Sequence, residues 1–203
     1  MIGLFGGTFD PIHLGHLRLA EELREALDLT EVRFLPAYEP PHRDTPQGSS
    51  MRRLQLVEAA IANNPAFVLD KREYERGGRS YTVDTLHSLR EELGEQPLVL
   101  IMGMDAFNGF TRWHRWEEIL RLAHLGVATR PGAELQAEAT ALLERHSMAA
   151  ADMRQTPAGG ICQVPISQLD ISATRIRELL RAKRSVRYLV PDTVRMILEK
   201  DGL

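Results

Sequence analysis

The chain opens with MIGLFGGTFDPIHLGH (residues 1–16): an apolar run, a glycine pair, then two histidines three residues apart where a helix begins. Ile2, Leu4 and Phe5 suit a buried strand, and Gly6-Gly7 are expected to let the chain turn sharply with its amides exposed. Helical periodicity begins near Leu14, so His13 and His16 fall on one face of the first turn. Unpaired amides and the positive end of the helix dipole make such a turn attractive to phosphate. Two imidazoles add donors for non-bridging oxygens and for a leaving group. Taken alone, H-x-x-H fits an i,i+3 metal pair or two histidines on a helix surface equally well. Strand, glycine turn, Asp10-Pro11 and H-x-G-H in succession are more specific and favour a polyanion site.

Strand-like and helix-like segments alternate outward from this stretch. Leu14 to Leu29 is amphipathic, with Leu17, Ala20, Leu23 and Leu27 on one face. Val32 to Leu35 reads as a strand, Ala37 to Ser50 as a proline-rich loop, and Met51 to Ala62 as a helix. A short strand at Phe67 to Leu69 precedes a charged, glycine-containing loop from Glu73 to Arg79. A helix from Thr82 to Leu93 stops at Gly94, and Leu98 to Met102 is apolar throughout, the pattern of a strand covered on both faces. Further helices are expected at Trp116–Ala123, Leu135–His146, Ala173–Ala182 and Asp192–Asp201, with strands at Leu125–Thr129 and Ile161–Val164. Residues 149–160 form the loop expected to be most mobile. The β-α order predicts an α/β fold: one Rossmann-like, doubly wound domain over residues 1–203, with a mostly parallel sheet and helices on both faces. Ligands then bind beyond the carboxyl ends of the strands.

Composition narrows the function. At 203 residues the chain can bury a core without cross-links. A net charge of −3 and an isoelectric point near 6.2 argue against a general nucleic-acid binder. The single cysteine, Cys162, rules out an internal disulfide framework and fits a reducing cytoplasm; no adjacent base marks it as a nucleophile. No basic segment precedes the apolar run, so no signal peptide is expected, and no stretch has the length of a membrane span.

Two later stretches extend the phosphate reading. In ISATRIR, residues 171–177, Ser172 is a natural N-cap whose hydroxyl can bond a helix amide or a phosphate. Arg175 and Arg177 follow in the first turns, where a cation opposes the helix dipole and an arriving anion would repair the mismatch. A capped surface helix with solvated arginines is the plainer reading. In Met102-Gly103-Met104-Asp105, glycine at a strand end lets a nucleoside approach the backbone, and Asp105 can accept hydrogen bonds from ribose or amide. Acids also commonly cap helices. Downstream, Trp113 in a polar loop is placed to stack on an aromatic ligand, whereas Trp116 begins an amphipathic helix and suits the core.

The opening stretch resembles the nucleotidyltransferase motif G-x-F-D-P-x-H-x-G-H, whose H-x-G-H core is shared in variant form with class I aminoacyl-tRNA synthetases. ISATRIR resembles that superfamily's I-S-S-T-x-I-R, with Ala173 in place of the second serine. With PAYEPPHR, RRLQLVEAAI, SYTVDTL, MGMDAF, WHRWEEI and the TRPG turn at 129–132, nearly the whole chain resembles the bacterial nicotinate mononucleotide adenylyltransferases. Arg43 stands where that family usually has lysine. The resemblance implies transfer of an adenylyl group from ATP to nicotinate mononucleotide, with pyrophosphate released. It implies His13, His16 and Arg175 as catalytic. Gly6, Gly7, Thr8, Phe9, Gly103, Asp105, Ile171, Ser172 and Thr174 join them in holding ATP. Thr8, His42, Arg43, Thr82, Trp113 and His114 are implied around nicotinate mononucleotide. Mg²⁺ is expected through the ATP phosphates rather than in a protein cage, in a cytoplasmic protein with no nucleic-acid or membrane partner, and homo-oligomerisation stays open. His87, His124 and His146, placed in helices or at their ends, are expected to be structural or solvated. Another small-molecule adenylyl- or cytidylyltransferase, or a nucleotide-sensing module without turnover, would share the phosphate motifs.

Overall fold

A computed structural model describes all residues except 42–45, 130, 131, 133, 168, 202 and 203, together with the backbone alone of residue 201. Six strands form one sheet: β1 (Ile2–Gly7), β2 (Glu31–Pro36), β3 (Phe67–Leu69), β4 (Leu98–Gly103), β5 (His124–Thr129) and β6 (Ile161–Pro165). Their order is β3-β2-β1-β4-β5-β6, and every neighbouring pair is parallel. The chain winds outward from β1 in one direction and from β4 in the other, so the order reverses between those two strands. A crevice opens at that reversal, beyond their carboxyl ends.

The helices are α1 (Leu14–Ala26), α2 (Ser50–Ile61), α3 (Arg72–Arg76), α4 (Thr82–Leu93), α5 (Met104–Asn108), α6 (Trp116–Leu122), α7 (Ala137–His146), α8 (Ala173–Arg181) and α9 (Asp192–Asp201). Strand residues alternate between two cores, as a sheet covered on both faces requires. In β4, Val99 and Ile101 join Leu23 of α1, Val57 of α2, Ile176 of α8 and Val194 of α9. Leu98, Leu100 and Met102 face the other way, onto Leu86 of α4, Phe107 of α5, Ile119 of α6 and Leu142 of α7. Gly126 lets α1 lie close on the sheet: a Cβ there would stand 3.0 Å from Leu27 and Val99 and 3.1 Å from Leu23. Among the described residues no helix is long and apolar enough to cross a membrane.

Most expected elements form within a residue or two of their expected ends, and four details differ. Gly6 and Gly7 do not turn: they finish β1, and the left-handed residue is Phe9, at φ 48°. Gly7 is required by proximity instead, because a Cβ there would lie 2.9 Å from the Phe9 ring. Part of the expected loop at 73–79 is α3. Polar partners hold it: Glu73 is buried and accepts the Thr85 hydroxyl at 2.7 Å, and Arg72 binds Asp70, Ser88 and Glu92. His124 begins β5 rather than ending a helix. Residues 149–160 are anchored by a 3-10 turn at Asp152–Gln155, where Met153 is fully buried and Arg154 pairs with Asp28.

Candidate active site

Strand β1 delivers the loop of residues 8–13 to the sheet reversal, and α1 starts directly after it. His13 is the N-cap of α1 and His16 its third residue. The two rings stack with centroids 3.6 Å apart. The His13 amide donates to His16 Nδ1 at 3.2 Å, which favours the tautomer with the proton on Nε2, the donor a phosphate oxygen would need. Phe9 presents its ring edge to His16, with centroids 5.1 Å apart, and packs on Phe5 and Phe34. Phe9 is itself buried, so its side chain supports His16 and any ligand contact falls to its backbone. Gly15, between the histidines, has a packing reason: a Cβ would stand 3.1 Å from His13 Nδ1 and 3.6 Å from the Ile171 carbonyl. That short approach brings the H-x-G-H turn against the segment leading into α8.

Ser172 caps α8, accepting the Arg175 amide at 3.2 Å, and keeps its O–H to donate. The two arginines of ISATRIR then part company. Arg177 is mostly buried and donates to the Asp10 carbonyl at 2.7 Å and the Thr174 hydroxyl at 3.2 Å. Arg175 extends into solvent, with 58% of its side chain exposed and only a 3.4 Å contact to Glu178. Arg177 therefore ties α8 to the turn that follows β1, and Arg175 is the exposed cation. Neither α1 nor α8 has an acid in its first turn, whereas α3, α4, α5, α6, α7 and α9 all do. The two helix starts that meet at the crevice leave their dipoles uncompensated, a preference for an anion.

Burial lowers the His13 pKa from its ordinary 6.5 to about 4, so the ring is neutral at pH 7 without a ligand. Its Nδ1, turned towards the first turn of α1, has no hydrogen-bond partner among the described residues. The unfolded chain binds the proton first, so the stability His13 contributes is complete above pH 6.5 and is lost as pH falls through 4. A shift of this size is worth about 3 kcal/mol. Urea unfolding of wild type and His13→Gln at pH 7 and pH 4 should show the variant losing less stability by about that amount. Buried His124 acts in the same direction in both proteins, its pKa lowered chiefly by burial.

Gly103 ends β4 and caps α5, with open space where a Cβ would sit, and Asp105 is exposed in the first turn of α5. The acceptor candidates come from two adjoining segments. Thr82 is the first residue of α4, whose amide has no intrahelical partner. The preceding Tyr81 packs its ring on His114, centroids 4.6 Å apart. Trp113 and Trp116 are both partly buried against Phe110, so core packing is shared between them. The Trp113 amide already donates to the Phe110 carbonyl at 2.9 Å, leaving its ring as the part able to meet a ligand. His42 and Arg43 lie outside the described residues. His87 binds Glu118, His146 the Gly159 carbonyl, and His124 is held between the Thr156 carbonyl and the Gly160 amide. Among the described residues no group of three or more His, Cys, Asp or Glu could hold a metal ion.

Sequence reading used Asp10 and Arg53 only as parts of motifs and gave neither a role of its own. Arg53 is 1% exposed, and with Leu56, Val57 and Ile61 it forms the buried stripe of α2. A cation on an apolar stripe was the available signal.

A cytidylyltransferase-like family model matches residues 4–179, from the phosphate turn through α8. A protein of Marinobacter nauticus described as "Probable nicotinate-nucleotide adenylyltransferase" is 49% identical over 204 residues, covering 98% of this chain and 94% of that one. One of the same description from Methylococcus capsulatus is 45% identical over 207 residues, covering 100% and 99%. The fold matches Plasmodium falciparum nicotinic acid mononucleotide adenylyltransferase complexed with NaAD, with a TM-score of 0.75, 16% identity and coverage of 98% and 94%. At that identity the likeness speaks for the fold alone. With an anion-seeking pair of helix starts at the sheet reversal and relatives this similar over their full length, the chain belongs to the nicotinate-nucleotide adenylyltransferase family within the nucleotidyltransferase superfamily.

Proposed function

We propose that the protein transfers the adenylyl group of ATP to nicotinate mononucleotide, giving nicotinate adenine dinucleotide and pyrophosphate. The observation that carries this reading is the junction of α1 and α8, where His13, His16, Ser172 and Arg175 gather at two helix starts without acids. The acceptor's 5′-phosphate is anionic at neutral pH, so attack on the α-phosphorus needs no strong base. An acceptor oxygen bonds to the α-phosphorus as its bond to the bridging oxygen breaks, and the electron pair leaves with pyrophosphate. The protein contributes alignment and charge neutralisation. His16 donates to an α-phosphate oxygen and His13 lies towards the bridging and β-phosphate oxygens. Arg175 folds in over the β- and γ-phosphates, with the Ser172 and Thr174 hydroxyls as further donors. Mg²⁺ held by the ATP phosphates would supply further positive charge along the triphosphate. A cytoplasmic setting fits the one free thiol, Cys162.

Acceptor selectivity rests on Thr82, Trp113 and His114. The Thr82 amide, at the positive end of α4, suits the nicotinate carboxylate, with the Trp113 ring for stacking. Nicotinamide would set an NH₂ against that N–H and leave both unpaired. The ratio of kcat/KM for nicotinate over nicotinamide mononucleotide should be about 10² or more. Equal efficiencies would remove this acceptor pocket.

A further inference from the structure

The loop between β2 and α2 is fastened at both ends to the turn that follows β1. At its start, Arg53 Nη1 donates to the Thr8 carbonyl at 2.8 Å and the Ala37 carbonyl at 2.6 Å, and Nη2 donates to the Tyr38 carbonyl at 2.9 Å. At its end, the Asp10 carboxylate accepts the Gln47 amide at 2.9 Å and the Gly48 amide at 3.0 Å. Gly48 is wedged between the two fasteners: a Cβ there would meet Asp10 Oδ1 at 3.0 Å and Arg53 Cγ at 3.4 Å. Asp10 also sits just ahead of α2, which has no acid in its own first turn. Its charge is therefore spent on this loop, on α2 and on Arg177 of α8, 3.8 Å away, rather than on a nucleotide.

Arg53 is a costly way to hold a loop if stability were its only purpose. Its guanidinium makes no hydrogen bond to a carboxylate among the described residues, and its Nε is buried without a partner. Three carbonyl bonds offset the desolvation of the charge only in part. What the guanidinium achieves, and a leucine could not, is to fix three carbonyls from two loops at set distances from one another. One of those loops leads into His13 and His16; the other carries His42 and Arg43 in sequence, the residues that the family resemblance implies at the acceptor.

We infer that Asp10 and Arg53 are positioning residues that hold the acceptor loop in register with the phosphate turn, so that the acceptor phosphate meets the α-phosphorus in line. The inference rests on the proposed adenylyl transfer to nicotinate mononucleotide. Gly48 touches only the two fasteners, whereas Arg53 also holds Thr8 and Asp10 also pairs with Arg177 of α8 at 3.8 Å, so both side chains reach the turn on the ATP side.

The test is steady-state kinetics, with both substrates varied, on Gly48→Ala, Asp10→Asn and Arg53→Lys beside wild type, with thermal unfolding of each. Gly48→Ala keeps every charge and hydrogen-bonding group and only forces the fasteners apart. It should raise KM for nicotinate mononucleotide about tenfold while KM for ATP stays within about twofold. Asp10→Asn should raise KM for nicotinate mononucleotide as much, with a further effect on KM for ATP through Arg177. Arg53→Lys, unable to span three carbonyls, should lower kcat about tenfold or more. KM values unchanged in both Gly48→Ala and Asp10→Asn would overturn the inference. So would activity that falls only in proportion to the folded fraction, the mark of a purely structural role. A wild type that makes no product with nicotinate mononucleotide would instead refute the proposed function, and the acceptor role of the fasteners with it.

Discussion

His16→Ala is expected to lower kcat by about 10²–10³, the usual cost of removing one donor that acts on charge developing in the transition state. The ring is fixed on three sides: His13 stacks on it, Phe9 meets it edge-on, and the His13 amide fixes its Nδ1 as acceptor. The ring is therefore held before ATP arrives, and preorganisation of that kind acts on the chemical step more than on ground-state binding. KM for ATP should change far less than kcat. Circular dichroism and urea unfolding would establish that the variant is folded, since alanine leaves space beside Phe9. A folded variant with wild-type turnover would remove His16 from the mechanism.

Arg175→Ala is the complementary case, a large kinetic effect with no structural cost. The side chain is mostly exposed, and its 3.4 Å contact with Glu178 is a surface pair of little worth. Stability should change by less than about 0.5 kcal/mol. With ATP bound, the same guanidinium is proposed to meet the β- and γ-phosphates and to steady the departing pyrophosphate. kcat/KM for ATP should fall about 10²-fold, and Arg175→Lys should recover only part of it, because an ammonium lacks the two-pronged geometry. A normal kcat/KM in the alanine variant would return Arg175 to the surface. Arg177→Ala should behave differently, losing stability as well, because that side chain ties α8 to the Asp10 carbonyl.

Elements whose pattern is complete within the segment were legible from residues alone. The α4 range follows from its apolar stripe and from Gly94, which adopts φ 57° at the stop. The unbroken run 98–102 marks a strand covered on both faces, and β4 has one core on each side. The α3 helix was hidden because its support lies elsewhere: Thr85, Ser88 and Glu92 of α4 hold it, and glycines 77 and 78 dominate the local pattern. The α5 helix is too short to show a period, with only Met104 and Phe107 buried.

The site proposed for phosphate was legible as local structure for a related reason. Its residues sit in two contiguous stretches, and the strand–turn–helix order supplies the geometry. Which arginine of ISATRIR would be spent on structure was not legible, because the partner of Arg177 is Asp10, 167 residues away in sequence. The same holds for Arg53, whose three carbonyl partners belong to two different loops. Side chains that act through distant backbone atoms leave only a misplaced charge in the sequence.

The most direct test of adenylyl transfer is pyrophosphate release from ATP and Mg²⁺ with nicotinate mononucleotide, with phosphopantetheine, or with no acceptor. Release that requires nicotinate mononucleotide, in equal amount with nicotinate adenine dinucleotide, is the predicted result. Release only with phosphopantetheine, or none at all from folded protein that still binds ATP, would contradict it.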